Sequence, residues 1–255
     1  AQIALKSVHR GRHREFTGYD LGLRVIDPLG VPISILVPGY RPRTTPSHLQ
    51  VNASLRGAPV HFKLRARGQH MVLNALAVLG SMVAAGLPTA QALAALETFE
   101  AVDGRGNTLT ITGGNGDYRL INDAYNANPG SMGASLNMLA QLPGLPDQRV
   151  AVLGDMLELG PDTQRYHLDL AEQLLAASPR HTLLCGPLMH ALYLQLRDQL
   201  SIEWFEDVNA LKDKLPEHAA RWFREGDWVL VKSSGGTGLS QLVDSLTQSE
   251  GATAV

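Results

Sequence analysis

The sequence predicts an α/β protein whose C-terminal part forms a mostly parallel β-sheet covered by helices on both faces. Beyond about residue 115, short and almost continuously apolar segments alternate with longer amphipathic ones, which is typical of buried parallel strands joined by helices. Before residue 115, apolar and polar residues alternate between turns that contain Gly or Pro, which indicates antiparallel strands. We therefore expect two domains, residues 1–115 and residues 116–255.

The N-terminal part is expected to contain two hairpin-like units followed by two helices. In chain order these four segments are residues 19–39, 48–68, 70–86 and 88–100. Gly86 suits the end of the first helix, and Pro88 suits the start of the second. Gly and Asn residues cluster at 104–116, and this cluster places the domain boundary near residue 115.

The C-terminal part is expected to repeat a strand, a loop and a helix in a Rossmann-like arrangement. The predicted strands are residues 118–123, 149–155, 181–185, 202–205 and 227–233. The predicted helices are residues 129–142, 162–177, 188–199, 207–224 and 238–247. Ligands of such sheets bind at the carboxyl ends of the strands. This rule draws attention to Asp123, residues 154–160 and residues 232–236.

Composition excludes several classes of function. Lys and Arg number 22 against 24 Asp and Glu, and no basic block is present, so nucleic acid is not an expected partner. No apolar run reaches the roughly 20 residues of a membrane span, so we expect no membrane insertion. Cys185 is the single cysteine, which excludes an internal disulfide and fits a reducing compartment such as the cytoplasm. No His, Asp or Glu cluster has the spacing of a metal site.

Two segments at predicted strand ends carry polar side chains. In LINDAYNANPGSM, residues 120–132, Asp123 ends a strand, Asn128 is a good N-cap and Pro129 is a good first helical residue. The spacing alone fits a capped strand-to-helix turn. In the same way GDMLELG, residues 154–160, fits a plain loop with solvated charges at Asp155 and Glu158.

Three further groups leave a structural and a functional interpretation open. KSSGGTGLS, residues 232–240, follows a strand and leads into a helix, so that Lys232 and backbone N–H groups are able to hold an anion. A flexible glycine-rich turn is equally consistent, and no G-x-x-x-x-G-K-[ST] sequence occurs in the chain. His70 and Asn74 share one helix face, as a cap or a satisfied polar pair would. Arg105 lies between two glycines, where a ligand can approach, although a loop Arg is more often solvated.

Taken together, the motifs resemble those of the Mur ligase family in order and approximate spacing. They are GQHMVLNALAV (68–78), GR (104–105), INDAYNANPGSM (121–132), RVAVLGDMLELG (149–160) followed by His167, and WVLVKSS (228–234). The third and fourth are similar to the branch of the family that adds D-Ala-D-Ala. The resemblance covers about residues 65–248, and residues 1–50 match poorly.

The resemblance implies a partial central ATPase domain over residues 1–115 and a C-terminal Rossmann-like domain over residues 116–255. It implies ATP- and Mg²⁺-dependent ligation of D-Ala-D-Ala to a UDP-N-acetylmuramoyl tripeptide during peptidoglycan precursor synthesis. The family's phosphate loop, magnesium ligands and modified lysine would lie upstream and have no counterpart in this sequence. We therefore expect no turnover by this chain alone, because phosphoryl transfer would lack its main electrostatic stabilisers.

The resemblance also implies roles for individual residues. Asn74 would hydrogen-bond adenine, Arg105 would reach the phosphates or ribose, and Asp123 would accept hydrogen bonds from ribose hydroxyls. The side chains implied to line the nucleotide are Tyr125, Asn126 and Asn128. The residues implied to lie near the incoming dipeptide or the acyl phosphate are Lys232, Ser233 and Ser234, with Lys232 as the catalytic group. Ser233 departs from the family, which usually has Gly after that lysine, and so does the GGTG that follows.

Two other functions compete with the ligase. One is a non-catalytic nucleotide-binding or scaffold protein derived from a Mur ligase. The other is an NAD-dependent dehydrogenase, suggested by the Rossmann-like rhythm. It is disfavoured because no G-x-G-x-x-G follows the first strand of that domain.

Overall fold

The computed structural model describes residues 3–5, 19–26, 32–40, 49–65, 69–99, 103–113, 116–142, 144, 146–250 and 252–254. The chain divides into two compact units, Ala1–Glu100 and Ala101–Val255. The division precedes the expected boundary at residue 115. The reason is that residues 107–113 form a strand that pairs along its whole length with residues 116–123 of the second unit.

The first unit contains a five-stranded antiparallel sheet in sequential order. Its strands are β1 (Ile3–Leu5), β2 (Tyr19–Ile26), β3 (Pro32–Tyr40), β4 (Leu49–Leu55) and β5 (Ala58–Leu64). The two predicted hairpins are confirmed as β2–β3 and β4–β5. The second hairpin turns through Arg56 and Gly57, which both have positive φ (50° and 85°), as a two-residue turn of type I′ requires.

Two helices, α1 (Gln69–Ala84) and α2 (Thr89–Thr98), follow this sheet in the first unit. Val72, Leu76 and Leu79 of α1 are fully buried, at the three- and four-residue spacing of one helix face. They join a core built from alternate residues of β3, β4 and β5. Gly86 follows α1 with φ +75°, and its N–H donates to the carbonyl of Val83, which confirms the predicted helix end.

The second unit contains a seven-stranded sheet in the order β10-β9-β8-β11-β7-β6-β12. Its strands are β6 (Asn107–Gly113), β7 (Gly116–Asp123), β8 (Arg149–Gly154), β9 (His181–Cys185), β10 (Ile202–Phe205), β11 (Trp228–Lys232) and β12 (Ala252–Ala254). The first five strands in the sheet order run parallel, and β6 and β12 are antiparallel to their neighbours. The predicted fold class is thus confirmed.

Within the described residues of this unit, seven α-helices cover the sheet. They are α3 (Pro129–Gln141), α4 (Thr163–Leu168), α5 (Leu170–Ala177), α6 (Met189–Leu196), α7 (Val208–Asp213), α8 (Leu215–Trp222) and α9 (Ser240–Glu250). Two predicted helices, 162–177 and 207–224, are each divided in two. The second divides at Lys214, because Pro216 in the first turn of α8 has no N–H to continue the hydrogen-bond ladder.

Both faces of the parallel strands are buried, which explains their continuous apolar sequences. In β8, Ala151 and Leu153 join one core, whereas Val150 and Val152 join the core on the opposite face. Parallel strands place their carboxyl ends at one edge, called here the carboxyl edge, so Asp123 and Lys232 lie there together. Within the described residues, no helix is long and apolar enough to cross a membrane.

Candidate functional site

The carboxyl edge brings together the polar segments that follow β7, β8 and β11. In the strand register, Lys232 of β11 is paired with Asp123 of β7 on one side and with Leu153 of β8 on the other. The loops that leave these three strands therefore start side by side, although more than one hundred residues of sequence separate Asp123 from Lys232.

Asp123 and Lys232 form an ion pair at this edge. The Nζ of Lys232 lies 2.7 Å from Oδ2 of Asp123 and donates a second hydrogen bond, of 3.0 Å, to the carbonyl of Asn126. The lysine side chain is 2% exposed and the aspartate side chain 20% exposed. The resemblance implies different ligands for these two residues, but here each is the other's closest partner.

Ser135 also contacts this pair and is not among the predicted site residues. Its hydroxyl donates to Oδ2 of Asp123 at 3.0 Å, and the residue is 2% exposed. Ser135 lies in α3 beside the buried Leu136 and three residues after the buried Met132. A serine on the apolar face of a helix is the sequence signal for such a contact, since a buried hydroxyl needs a partner.

The loop after β7 is the capped strand-to-helix turn that its spacing predicts. Oδ1 of Asn128 accepts from the N–H of Ser131 at 2.9 Å, and the Ser131 hydroxyl accepts from the N–H of Asn128 at 3.0 Å. This reciprocal pair is a capping box, with Pro129 at the first helical position. The side chain of Asn126 is exposed, and its backbone carbonyl accepts a hydrogen bond from Lys232.

Arg105 and Tyr125 stack on each other next to Asp123. The guanidinium carbon lies 4.1 Å from the centroid of the tyrosine ring, a cation–π contact. The carbonyl of Gly104 accepts a hydrogen bond from the N–H of Tyr125 at 3.1 Å, which fixes the loop that carries Arg105. Tyr125 is 57% exposed. The structure therefore brings Arg105, Asp123 and Tyr125 together, as the resemblance implies.

Ser234 connects the three loops. Its hydroxyl accepts from the N–H of Leu157 at 2.9 Å and lies 3.4 Å from the carbonyl of Ala127, to which it donates. Its own N–H donates to the carbonyl of Asp155 at 3.0 Å. The side chain predicted to meet the dipeptide thus already has partners within the protein.

Four backbone N–H groups of the loop after β11, which were candidates for an anion site, already donate to backbone carbonyls. These donors are the N–H groups of Ser234, Gly235, Thr237 and Gly238. The ammonium of Lys232 is neutralised by Asp123. These groups are not available to an anion, so the structure favours the alternative, a glycine-rich turn.

Asp155 is a buried helix cap and not a solvated charge. It is 3% exposed, and its carboxylate accepts from the N–H of Leu188 at 3.2 Å and of Met189 at 3.0 Å, where α6 begins. Glu158 is exposed, as expected, and has a positive φ of 61°. The expectation of a solvated charge is therefore wrong for Asp155, because the carboxylate serves the unpaired amides of a helix N-terminus.

His167 fixes the start of the same loop. The imidazole is fully buried, and its Nε2 accepts from the N–H of Met156 at 2.9 Å. Nδ1 lies 2.7 Å from the carbonyl of Thr163. Because one nitrogen accepts and the other meets a carbonyl, the contacts assign the proton to Nδ1 of a neutral ring.

The buried carboxyl of Asp155 predicts a pH dependence of stability. Burial, the largest effect, raises its pKa above 3.8, whereas the hydrogen bonds from the N–H groups of Leu188 and Met189 lower it by less. The folded protein then holds this proton more tightly than the unfolded chain. The contribution to stability is therefore complete below pH 3.8 and is lost as the pH rises through the raised pKa.

We expect this effect to appear when urea unfolding of the unchanged chain and of Asp155→Asn is compared between about pH 4 and pH 7. As the pH rises, the difference in the free energy of unfolding should move in favour of the asparagine variant. A difference that is independent of pH would contradict the assignment.

Ser233 is fully buried, and within the described part of the chain its hydroxyl has no hydrogen-bond partner. It packs directly on Gly154, where an added Cβ would lie 2.6 Å from the Cβ of Ser233. The residue that departs from the family pattern therefore fills the space above a glycine of the neighbouring strand. Its contact with a dipeptide stays a prediction.

We expect Gly154→Ala to lower the free energy of unfolding by about 1–3 kcal/mol, because the new methyl group overpacks the contact. In a Ser233→Gly background the same change should have less than half this effect, since the obstructing Cβ is gone. Urea unfolding of the two single variants and the double variant measures the coupling. Equal effects in both backgrounds would show that Ser233 is not the obstacle.

Asn74 lies in the first unit, whereas every other predicted site residue lies in the second. It is exposed on α1, and its amide nitrogen lies 3.9 Å from the sulfur of Met71. The side chain of His70 falls outside the described residues. An exposed amide without a strong partner among the described residues is consistent with the predicted contact to adenine, which stays a prediction.

The family model described as Mur ligase, glutamate ligase domain, matches residues 104–235, more than half of the chain. The chain belongs to the Mur ligase family. The matched range contains Arg105, Asp123, Asp155 and Lys232, and the resemblance to the family is confirmed over this range.

Individual Mur ligases are similar to the chain over part of their length. A UDP-N-acetylmuramoyl-tripeptide–D-alanyl-D-alanine ligase from Rickettsia prowazekii is 34% identical over 55% of the chain and 29% of the relative. The enzyme of the same name from Escherichia coli is 32% identical over 71% of the chain and 38% of the relative. The chain thus spans well under half the length of these curated relatives.

Solved structures of Mur ligases have the same fold. MurF from Acinetobacter baumannii superposes with a TM-score of 0.65 and 25% identity, over 80% of this chain and 43% of that one. The MurF ligase from Thermotoga maritima, in complex with ADP, superposes with a TM-score of 0.65 and 20% identity, over 81% of this chain and 44% of that one. The named ligases among these relatives do not favour the non-catalytic alternative or the dehydrogenase.

Proposed function

We propose that this chain contributes the C-terminal domain, and an adjoining part of the central domain, of an ATP-dependent ligase that joins D-Ala-D-Ala to a UDP-N-acetylmuramoyl tripeptide. The similar ligases from Rickettsia prowazekii and Escherichia coli carry this activity in their names. The reaction belongs to peptidoglycan precursor synthesis and thus to cell wall biogenesis, and we place it in the cytoplasm, where these precursors are soluble nucleotides.

The observation that carries the proposal is the arrangement of Asp123, Arg105 and Tyr125 at the carboxyl edge. Oδ1 of Asp123 has no hydrogen bond from any residue that the structure describes, whereas Oδ2 is held by two donors. A carboxylate oxygen in this state is able to accept from ribose hydroxyls. The exposed guanidinium of Arg105, supported on the ring of Tyr125, provides donors for phosphate oxygens.

ATP would supply the phosphoryl group that activates a carboxylate for attack by an amine. In this chain Asp123 would hold the ribose and Arg105 the phosphates, with Tyr125, Asn126 and Asn128 lining the nucleotide. Mg²⁺ belongs to the same reaction. The described residues contain no group of three His, Cys, Asp or Glu that is able to hold a metal ion, so we assign no magnesium ligand among them.

The dipeptide would lie at the loops after β8 and β11. This side of the site would rest on three residues that are each less than one tenth exposed, namely Lys232, Ser233 and Ser234. A direct catalytic contact by Lys232 would require its ammonium to leave Asp123.

Calorimetric titration of ATP tests the nucleotide site. We expect the unchanged chain to bind ATP and Asp123→Asn to bind it about tenfold more weakly, since an amide accepts a hydroxyl proton less strongly than a carboxylate does. Arg105→Ala should weaken the binding of ATP more than that of adenosine, because the proposed phosphate contact exists only in ATP, whereas loss of the Tyr125 stack affects both ligands. An unchanged chain that binds no ATP, or an Asp123→Asn variant that binds it equally well, would overturn the site.

A further inference from the structure

Ser135 and Lys232 contact the same oxygen of Asp123. The serine hydroxyl donates to Oδ2 at 3.0 Å, and the lysine ammonium lies 2.7 Å from the same atom. We propose that these two residues form a carboxylate clamp that holds Oδ2 and turns Oδ1 toward the ribose. They are positioning residues that act through Asp123, and the inference rests on the proposed nucleotide site.

Asp123 is more exposed than the two residues of the clamp that contact it. Ser135 and Lys232 are each 2% exposed, whereas the side chain of Asp123 is 20% exposed. A ligand at this edge therefore meets the aspartate and not its two donors. The remaining lysine hydrogen bond, to the carbonyl of Asn126 at 3.0 Å, ties the orientation of the carboxylate to the loop after β7.

The clamp restricts rotation of the Asp123 carboxylate, which ligand binding would otherwise have to restrict. A carboxylate turns easily about its last side-chain bond, because that torsion has broad minima. Two donors on one oxygen fix the torsion before any ligand arrives. Preorganisation of this kind raises affinity by reducing what must be ordered on binding.

The lysine has a second effect, on charge. A lone carboxylate beside a triphosphate would repel it. With the ammonium 2.7 Å away the pair has no net charge, and Oδ1 keeps its ability to accept a hydrogen bond from an uncharged hydroxyl. The pair is thus suited to the sugar of a nucleotide more than to a cation.

A comparison of ATP with 2′-deoxy-ATP and 3′-deoxy-ATP separates positioning from a structural role. Each nucleotide is titrated calorimetrically into the unchanged chain and into Ser135→Ala. In the unchanged chain we expect loss of the hydroxyl that Asp123 holds to weaken binding about tenfold. In Ser135→Ala this penalty should fall to about twofold, because a carboxylate held by Lys232 alone presents Oδ1 to the hydroxyl less precisely.

Ser201→Ala is a control for the loss of a serine hydrogen bond outside the clamp. Its hydroxyl lies 2.8 Å from Nδ1 of the buried His181, where β9 and β10 begin, at the edge of the sheet opposite to Asp123. The Ser201→Ala substitution removes one serine hydrogen bond and leaves the clamp unchanged. The tenfold weakening of deoxynucleotide binding should therefore persist in this variant. Ser135→Cys keeps most of the volume with a weak donor and repeats the test if Ser135→Ala does not fold.

The outcomes are distinct. A tenfold penalty that persists in both Ser135 variants would overturn the clamp and leave the nucleotide site standing. If the unchanged chain does not distinguish ATP from either deoxynucleotide, the assignment of Asp123 to the ribose is overturned with the clamp. No ATP binding by the unchanged chain would overturn the proposed function itself.

Discussion

Asp123→Asn is expected to lower the free energy of unfolding of the second unit by about 3 kcal/mol. The substitution leaves the ammonium of Lys232, which is 2% exposed, with only neutral partners. Lys232→Met should have a smaller effect, because the side chain of Asp123 is 20% exposed and water is able to reach it. The double variant should lose less free energy of unfolding than the two single variants together, since it replaces both Asp123 and Lys232 and leaves no buried charge.

Tryptophan fluorescence during urea unfolding is the measurement of choice. All three tryptophans of the chain, Trp204, Trp222 and Trp228, lie in the second unit, so the signal reports that unit alone. Additive losses in the double variant would show that the pair is not coupled. The same proteins serve for the ATP titrations, which relates loss of binding to loss of stability.

Asp227→Ala is expected to lower the free energy of unfolding by about 3–5 kcal/mol without weakening ATP binding. Asp227 precedes β11 at the opposite edge of the sheet, and its side chain is 2% exposed. It accepts from Arg180 at 2.5 Å and from the N–H of Arg224 at 2.8 Å. Removal leaves a guanidinium that is 14% exposed without its counter-charge.

Arg180 explains why the effect should be large. Its guanidinium also donates to the last carbonyls of α8, those of Arg221 and Trp222, at 3.1 and 2.9 Å. Asp227 therefore holds the cation that caps this helix. Asp169→Ala is the matched control, because the pair between Arg165 and Asp169 is more than half exposed on both sides and should contribute less than about 1 kcal/mol. Similar losses from the two substitutions would contradict the role of burial.

Periodicity alone predicts most of this fold. Alternation in β4 and β5 reflects burial on one face, and the apolar runs of β8 and β11 reflect burial on two faces, so both are visible in a single sequence. The glycines and asparagines around β6 favour a loop, so the strand is not predicted, although its NTLTIT sequence is rich in β-branched residues, which is typical of a strand. The break in the helix at Lys214 was marked only by Pro216.

The site is less accessible to such reasoning. The position of Asp123 at a strand end follows from its sequence, and so does the cap at Asn128. The contact between Asp123 and Lys232 does not, because it depends on the register of strands 109 residues apart. The same holds for Asp155: its motif places it after β8, but only the tertiary structure shows that it caps α6.

The place of β11 in the sheet has a consequence for biosynthesis. This strand is the last of the parallel strands to leave the ribosome, yet it lies between β7 and β8, with a neighbour on each side. Until residues 228–232 have emerged, the earlier strands form two separate groups, and the carboxylate of Asp123 has no ammonium beside it. Closure of the sheet and completion of the carboxyl edge therefore both depend on the emergence of this one strand.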